Sequence, residues 1–297
     1  MDLDRVRTGI RVARRELPND PTRRFALAYG LTVAPLLLAA VVAVTLDPLW
    51  GLIALGLVAG FVQNGLGILT HEASHYFMHR DRIWNDRLAN ALVCLPVLNT
   101  VEGYRREHLM HHRDCCGPTD PYYDLYGPYD RRRQLVAGFI RDLTGVTALT
   151  AFLRRYGQPR AGAGPGRLAA FAVVQLLIAA GAYAVTGYWW AYGVVWLAPL
   201  ATVPFAVNRI RTFVEHHATR GGAEAMRTTR PTWFEYLTIA PYGYAHHFEH
   251  HVMPDVPYYQ LAWAHDELGR RGFAFGPEQQ APAGYLRTFA RQFAELR

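Results

Sequence analysis

Cysteine is scarce in this chain. There are three, Cys94, Cys115 and Cys116, among 297 residues. Their spacing fits neither a zinc ribbon nor an iron–sulfur cluster. All three fall in segments assigned below to the cytoplasm, so disulfides are not expected. Cys115 and Cys116 read as filler or as neighbours of a metal site. Lysine is absent, and all 31 basic residues are arginine. That reads as the coding bias of a GC-rich genome, so only the placing of the arginines is informative. The net charge of +7 comes with no nucleic-acid-binding motif, which excludes nucleic acid as the expected partner. Anionic lipid headgroups and acidic proteins fit better. No repeat of solenoid length occurs. The Arg-rich start also carries acidic residues and lacks a short apolar core with a small-residue cleavage site, so it does not read as a secretory signal.

Charge is missing altogether from three stretches. Residues 25–46 and 48–70 carry none, with only Asp47 between them, and residues 168–208 carry none. About 20 apolar residues span a bilayer core of about 30 Å. The first two runs and the third therefore read as two helical hairpins, turning near Asp47-Pro48 and Thr186-Gly187. A soluble core helix would carry a polar face, and these do not. The arginines flank the hairpins on one side: Arg5, Arg7, Arg11, Arg14, Arg15, Arg23 and Arg24 before the first helix, Arg80, Arg82 and Arg87 after the second, Arg154, Arg155, Arg160 and Arg167 before the third, and Arg209 and Arg211 after the fourth. The positive-inside rule then puts both termini and the middle segment in the cytoplasm. Trp50, Tyr188, Trp189, Trp190 and Tyr192 lie at the opposite ends, where an aromatic belt is expected. The expected fold is all-α, a single domain over 1–297. It has four transmembrane helices in two hairpins (25–70 and 168–208), a cytoplasmic N-terminal segment (1–24) and a cytoplasmic helical cap (71–167 and 209–297). Segments 88–101 and 134–152 are mixed enough to lie in the headgroup plane or to pack as ordinary cap helices.

Histidine is abundant, with 13 residues. Three clusters stand out: His71-Glu-Ala-Ser-His75, His108-Leu-Met-His111-His112 and His247-Phe-Glu-His250-His251, with His216 as a companion. At this histidine frequency the pattern His-x-x-His-His is expected roughly 0.025 times per chain, and it occurs twice. Residues three and four apart share a helix face, so each cluster can aim its imidazoles at one point. Neutral imidazole ligates iron, zinc and copper, and nine are more than one ion needs. The first cluster directly follows the second apolar helix, His216 comes eight residues after the fourth, and the other two clusters lie in the segments assigned to the cytoplasm, which puts all nine on one side of the membrane. His247 is chosen over His246 for its spacing to His250 and His251, although His246 has its own spacing to His250. His79, His217 and His265 have no partner at ligand spacing. Ligand imidazoles usually donate their second N–H to a carboxylate or carbonyl. Glu72, Glu107, Asp114, Asp120, Glu215 and Glu249 are the candidates beside the clusters.

These boxes resemble the membrane fatty acid desaturase and hydroxylase superfamily. The match runs over about residues 25–270 and includes Tyr104-Arg105-Arg106-Glu107-His108, Asp120-Pro121 and Pro254-x-x-Pro257. The resemblance implies two iron ions as cofactor, dioxygen as co-substrate and two electrons from a separate donor such as ferredoxin and its reductase. It implies ligand roles for His71, His75, His108, His111, His112, His216, His247, His250 and His251. The first box has a three-residue gap, unlike the four-residue gap of animal acyl-CoA desaturases, and Thr212 stands where those enzymes carry Asn. A lipid-linked, sphingolipid-like or other apolar substrate is therefore at least as well supported as an acyl-CoA. No His-Pro-Gly-Gly heme motif is present. Arg131-Arg132-Arg133 is a candidate dock for an acidic ferredoxin, or simply a solvated or lipid-facing charge run.

The expected function is an O2-dependent dimetal oxidase of the inner membrane, multi-pass, introducing a C=C bond into an acyl chain of a lipid. Hydroxylation or ketolation of a lipid or carotenoid is the alternative with the same ligand set. A more remote one is an intramembrane zinc protease built on His71-Glu72-x-x-His75, but the Leu-Asp-Gly context of its third ligand is missing. A metal transporter would bind near the midplane, and the apolar runs contain no histidine.

Overall fold

The computed structural model describes residues 3–43, 45, 48–127, 129–156, 165–217, 226–276, 279–281 and 283–297. Asp47, at the first expected turn, and Arg160 lie outside them. Among the described residues the regular elements are helical, with one isolated bridge between Thr228 and Gln280. Among the described residues, four helices are long and apolar enough to cross a membrane. Helix α1 (Leu3–Arg14) precedes them and buries Ile10 against Phe248 and Leu268 of the C-terminal region.

Helix α2 (Pro21–Ala43) begins with a proline, whose fixed φ suits a first helical position. It packs on α3 (Pro48–Ser74) through Phe25, Ala28, Val62 and Leu66. Helix α3 has 27 residues, so it is about 40 Å long, roughly 10 Å more than a bilayer core. The excess carries His71 past the apolar segment. The chain then reverses sharply, with Tyr76 at φ 63°.

Helix α4 (Arg82–Ala89) is capped by the Asp81 carboxylate, which accepts from the Ile83 and Trp84 amides at 2.9 Å each. A π turn (Asn90–Cys94) and a short 3-10 turn (Leu95–Val97) lead to α5 (Val101–Asp114), capped by Thr100. Arg105 of α5 fixes it against α3. Its guanidinium donates to the Ser74 carbonyl at 2.8 Å and to the Ala73 carbonyl at 3.1 Å, and pairs with Asp86 at 2.6 Å. It thereby satisfies carbonyls that a helix end leaves without partners.

The short α6 (Tyr123–Tyr126) is followed by α7 (Arg132–Leu143) and α8 (Val146–Tyr156). These two meet at an angle of 74°, and Gly145 between them takes φ 76°. Val136, Ile140, Leu143, Leu149 and Leu153 are exposed along them, the amphipathic character read from the sequence.

Helix α9 (Pro165–Thr186) ends at Gly187, φ 74°. A π turn (Gly193–Leu197) opens α10 (Ala198–His216). Close packing of α3 on α10 requires Gly60, because a Cβ there would lie 2.6 Å from Val203. Polar side chains inside the bundle meet carbonyls where the helical ladder is irregular: Gln63 donates to Trp196 O at 2.9 Å, and Gln175 to Leu95 O at 2.9 Å.

The remaining helices are α11 (Trp233–Thr238), α12 (His247–Val252), α13 (Leu261–Arg270) and α14 (Tyr285–Glu295). Helix α11 starts with a capping box of Thr232 and Glu235. Together with α4–α8 they gather at the histidine-bearing ends of α3 and α10. One buried ion pair joins this layer to the long helices. Asp142 of α7 accepts from Arg209 of α10 at 2.5 and 2.9 Å, and both side chains are shielded from solvent.

Removing one member of such a pair strands the other charge. Asp142→Ala should therefore lower stability by ~3–5 kcal/mol, read as a large fall in the unfolding temperature of the detergent-solubilised protein. A change no bigger than the roughly 0.5 kcal/mol of a surface substitution would show that the pair does not hold α7 to α10.

Candidate metal centre

Each histidine box reaches the site from a different helix end. His71 is on the last turn of α3 and His75 lies just beyond it. His108, His111 and His112 are on α5. His216 closes α10, and His247, His250 and His251 form one face of α12. All nine converge. Seven are buried, with exposures of 1–5%, while His75 and His112 are half-buried.

The Nε2 atoms of the nine rings meet one another rather than ordinary partners. Nε2 of His71 lies 3.0 Å from Nε2 of His250. His250 lies 2.9 Å from His112, His112 2.9 Å from His108, and His108 2.9 Å from His75. Five Nε2 atoms thus form a continuous group. Around it lies a second group: Nε2 of His111 and His251 are 3.2 Å apart, and those of His216 and His247 are 2.8 Å apart. Ligand atoms of His71, His75, His108, His112 and His250 all lie within 4.8 Å of one another, as do those of His111, Cys115, His216 and His251, and those of Glu215, His216 and His247.

This arrangement fits metal ions. Imidazole nitrogens sit ~2.0–2.1 Å from a bound divalent metal, which places neighbouring ligand atoms about 2.9 Å apart at right angles and about 3.4 Å apart at the tetrahedral angle. Hydrogen bonding among the rings alone is insufficient, because a neutral imidazole carries one N–H. His71 Nδ1 is bonded to Glu72 at 2.8 Å, leaving its Nε2 as a lone pair. Nδ1 of His108, His247 and His251 is buried with no hydrogen-bond partner.

Electrostatics favour neutral, ligating rings. Burial, reinforced by the charge of Arg105, lowers His75 to about 4. Burial, then the neighbouring His75 and His111, lowers His112 to about 2. His108, His247, His250 and His251 are pushed well below the usual imidazole range, first by burial and then by the crowding of other imidazoles. These rings stay unprotonated throughout the physiological range, as metal ligation requires.

Three of the six carboxylates singled out in the sequence approach this set. Glu72 contacts His71 Nδ1 and also accepts from the Tyr258 amide at 3.2 Å. Asp120 contacts His111 Nδ1 at 2.8 Å, takes the Tyr122 amide at 2.8 Å and receives the Tyr126 hydroxyl. Burial alone would raise Asp120, but the bonds from His111 and Tyr126 outweigh it and hold the carboxyl below its usual range. Glu215 is 3.7 Å from His247 Nδ1 and accepts from the Tyr285 hydroxyl at 2.7 Å. The other three face elsewhere. Glu107 pairs with Arg155, Asp114 with Arg113, and Glu249 with His265 and Thr228.

Some of these neighbours had no sequence signal. Tyr104 stacks on His108 and Tyr244 meets His71 edge-on, with centroids 5.6 and 4.7 Å apart. Tyr126 stacks on His216 at 4.6 Å. Cys115 Sγ lies 3.7 Å from His216 Nδ1, so this cysteine is a neighbour of the centre. His79 bonds near Asp81, and His217 stacks on Phe213 at 4.2 Å. Neither joins the nine. His265 does have histidine and carboxylate neighbours, brought together only by the fold.

Helices of membrane-span composition whose ends gather a buried histidine cluster compatible with metal ions point to the class of membrane metalloenzymes. The family model described as fatty acid desaturase matches residues 48–279. The chain belongs to the fatty acid desaturase family, within the membrane desaturase and hydroxylase superfamily, and is thus an oxidoreductase. No curated protein matches it.

Loss of a bonded carboxylate from a ligand histidine typically weakens metal binding 10–100-fold. Asp120→Ala should do so for the group holding His111 and leave the five-histidine group loaded. Metal analysis of the purified variant after graded chelator treatment checks this. Equal loss from both groups, or from neither, would refute an independent role for Asp120.

Proposed function

We propose that the chain is a membrane-bound, O2-dependent diiron oxidase that desaturates an apolar acyl chain carried by a lipid or related molecule. The observation carrying this reading is the convergence of nine imidazoles in two groups, in a chain of the desaturase family. His71, His75, His108, His112 and His250 would hold one iron, and His111, His216, His247 and His251 the other. When bound, the pair supplies the power to remove hydrogen from an unactivated C–H bond using dioxygen. The protein's share is positioning and exclusion of water. Glu72 and Asp120 hold the rings of His71 and His111 in one tautomer, with Nδ1 donating and Nε2 free to ligate. The surrounding tyrosines and burial keep solvent from the centre.

The same residues make a protease reading poor. Glu72 is buried and committed to His71 and the Tyr258 amide. It therefore does not stand as a general base beside an open coordination position.

The proposed placement in the membrane is supported by the distribution of surface residues. Trp50, Trp189 and Trp190 are exposed at one end of the long helices, and the arginine-bearing segments lie at the other. This supports an inner-membrane protein with both termini and the metal centre in the cytoplasm. The exposed apolar residues of α7 and α8 suit the headgroup plane. Electrons would arrive from a ferredoxin and its reductase. Arg131–Arg133 offers positive charge at the surface for that contact, with Arg132 also holding the C-terminal region through the Ala294 carbonyl at 2.7 Å.

Lipids from a bacterial host expressing the chain, compared by mass spectrometry with a His111→Ala control, should contain a new species short of two hydrogens. The control should lack it while still inserting in the membrane. A product that gains oxygen instead would make the enzyme a hydroxylase or ketolase. Product formed equally by the control would overturn the ligand assignment.

A further inference from the structure

Glu249 belongs by sequence to the third histidine box, yet its side chain turns away from the nine converging rings. It is fully buried. Its Oε1 accepts from His265 Nδ1 of α13 at 2.5 Å. Its Oε2 receives the Thr228 hydroxyl and lies 3.7 Å from His246 Nδ1. That nitrogen is buried and has no hydrogen-bond partner. The two imidazoles face each other with centroids 5.5 Å apart, and one ligand atom from each of the three residues lies within 4.8 Å of the others.

A buried carboxylate needs a cation or a proton-donating partner. Two imidazoles and one carboxylate are also the donor set of zinc sites that keep one position open. The side chains of His246 and His265 are 23% and 20% exposed, which gives an ion a route from water that a fully enclosed group would deny. Asp266 adds negative charge near both rings, against Arg230 near His265.

We propose that His246, Glu249 and His265 form a third metal site, separate from the nine-histidine centre, that takes one divalent cation of the zinc class. Zinc ligand atoms sit about 3.4 Å apart when each is ~2.1 Å from a tetrahedral ion. His265 must therefore back away from Glu249 by roughly 1 Å, within reach of a partly exposed side chain. The ion replaces the proton between them. Bound there, it ties α13 to the start of α12 and so braces the helix that carries His247, His250 and His251. The site stands whether or not the oxidation reaction is the one proposed above.

The test is metal stoichiometry. Full-length protein in detergent is saturated with zinc, desalted and analysed for metal per chain, beside His265→Ala, His265→Cys and His111→Ala. Because the nine-histidine centre also takes zinc, the readout is the difference between variants. His265→Ala should retain one zinc fewer than the wild type, and His111→Ala should keep the third zinc. In His265→Cys loaded with cobalt(II), a thiolate-to-cobalt charge-transfer band should appear in excess of any contribution from Cys115, which the wild type measures. That signature remains readable even if the alanine variant folds poorly. Equal zinc in the wild type and His265→Ala, or no band in His265→Cys beyond that of the wild type, would overturn the site. The cluster would then be a carboxylate sharing a proton with its imidazoles.

Discussion

The constraint on which this protein depends is the gathering of nine imidazole nitrogens into one buried space. Nε2 atoms whose nearest polar neighbours are the Nε2 atoms of other rings at 2.8–3.2 Å cannot all satisfy one another by hydrogen bonding. Each buried polar atom left without a partner costs about 1–3 kcal/mol, and Nδ1 of His108, His247 and His251 are such atoms. The cluster therefore pulls against folding unless cations offset it, the usual coupling of a metal site to its fold. The rest of the architecture keeps these nitrogens together. Four long helices supply stable ends, and the intervening helices are pinned to those ends.

The pinning is specific. Arg105 bonds the last carbonyls of α3 and the Asp86 carboxylate at once. It thereby sets α5 relative to α3, and with it the second histidine box relative to the first. Arg209 does the corresponding work for α10 by gripping Asp142 and the Asp124 carbonyl at 3.0 Å. The third box is held from its flank, by Glu72 reaching the Tyr258 amide and by the packing of Phe248 and Val252 in the C-terminal core. Each grip joins segments far apart in sequence, so no box is positioned by its own helix alone.

The sequence shows what is local and periodic. The long helices were legible because charge is absent for more than a bilayer's thickness, and the nine histidines because three- and four-residue spacing is a property of one helix turn. His216 was legible only through the resemblance and its place after the fourth apolar run, since it has no companion in its own segment. The pairing of histidines across boxes, such as His112 with both His108 and His250, depends on how α5 and α12 approach. No spacing encodes that. The carboxylates divide in the same way. Glu72 and Asp120 meet rings of the nine, whereas Glu249, flanked by box histidines, looks outward to His265, a residue whose solitary position offered no reason to consider it. The bend between α7 and α8 was likewise hidden, because Gly145 reads as an ordinary turn residue until its φ of 76° is seen.

The contrast between Glu72 and Glu249 shows why adjacency to a histidine is a poor guide to role. Both are buried, and both stand beside a histidine of a box. Glu72 lies on the last turn of a long helix whose direction is fixed by the bundle, and it can reach back to the Nδ1 of its own neighbour at 2.8 Å. Glu249 lies on a six-residue helix. Successive side chains on a helix point about 100° apart. A helix that turns His247, His250 and His251 inward must therefore turn the residue between them away. Its carboxylate is then carried to the far side of α12, where burial leaves a strong demand for positive charge. The same geometry that delivers three imidazoles to one centre thus creates a second electrostatic problem behind it, and His246 and His265 are the groups placed to answer it.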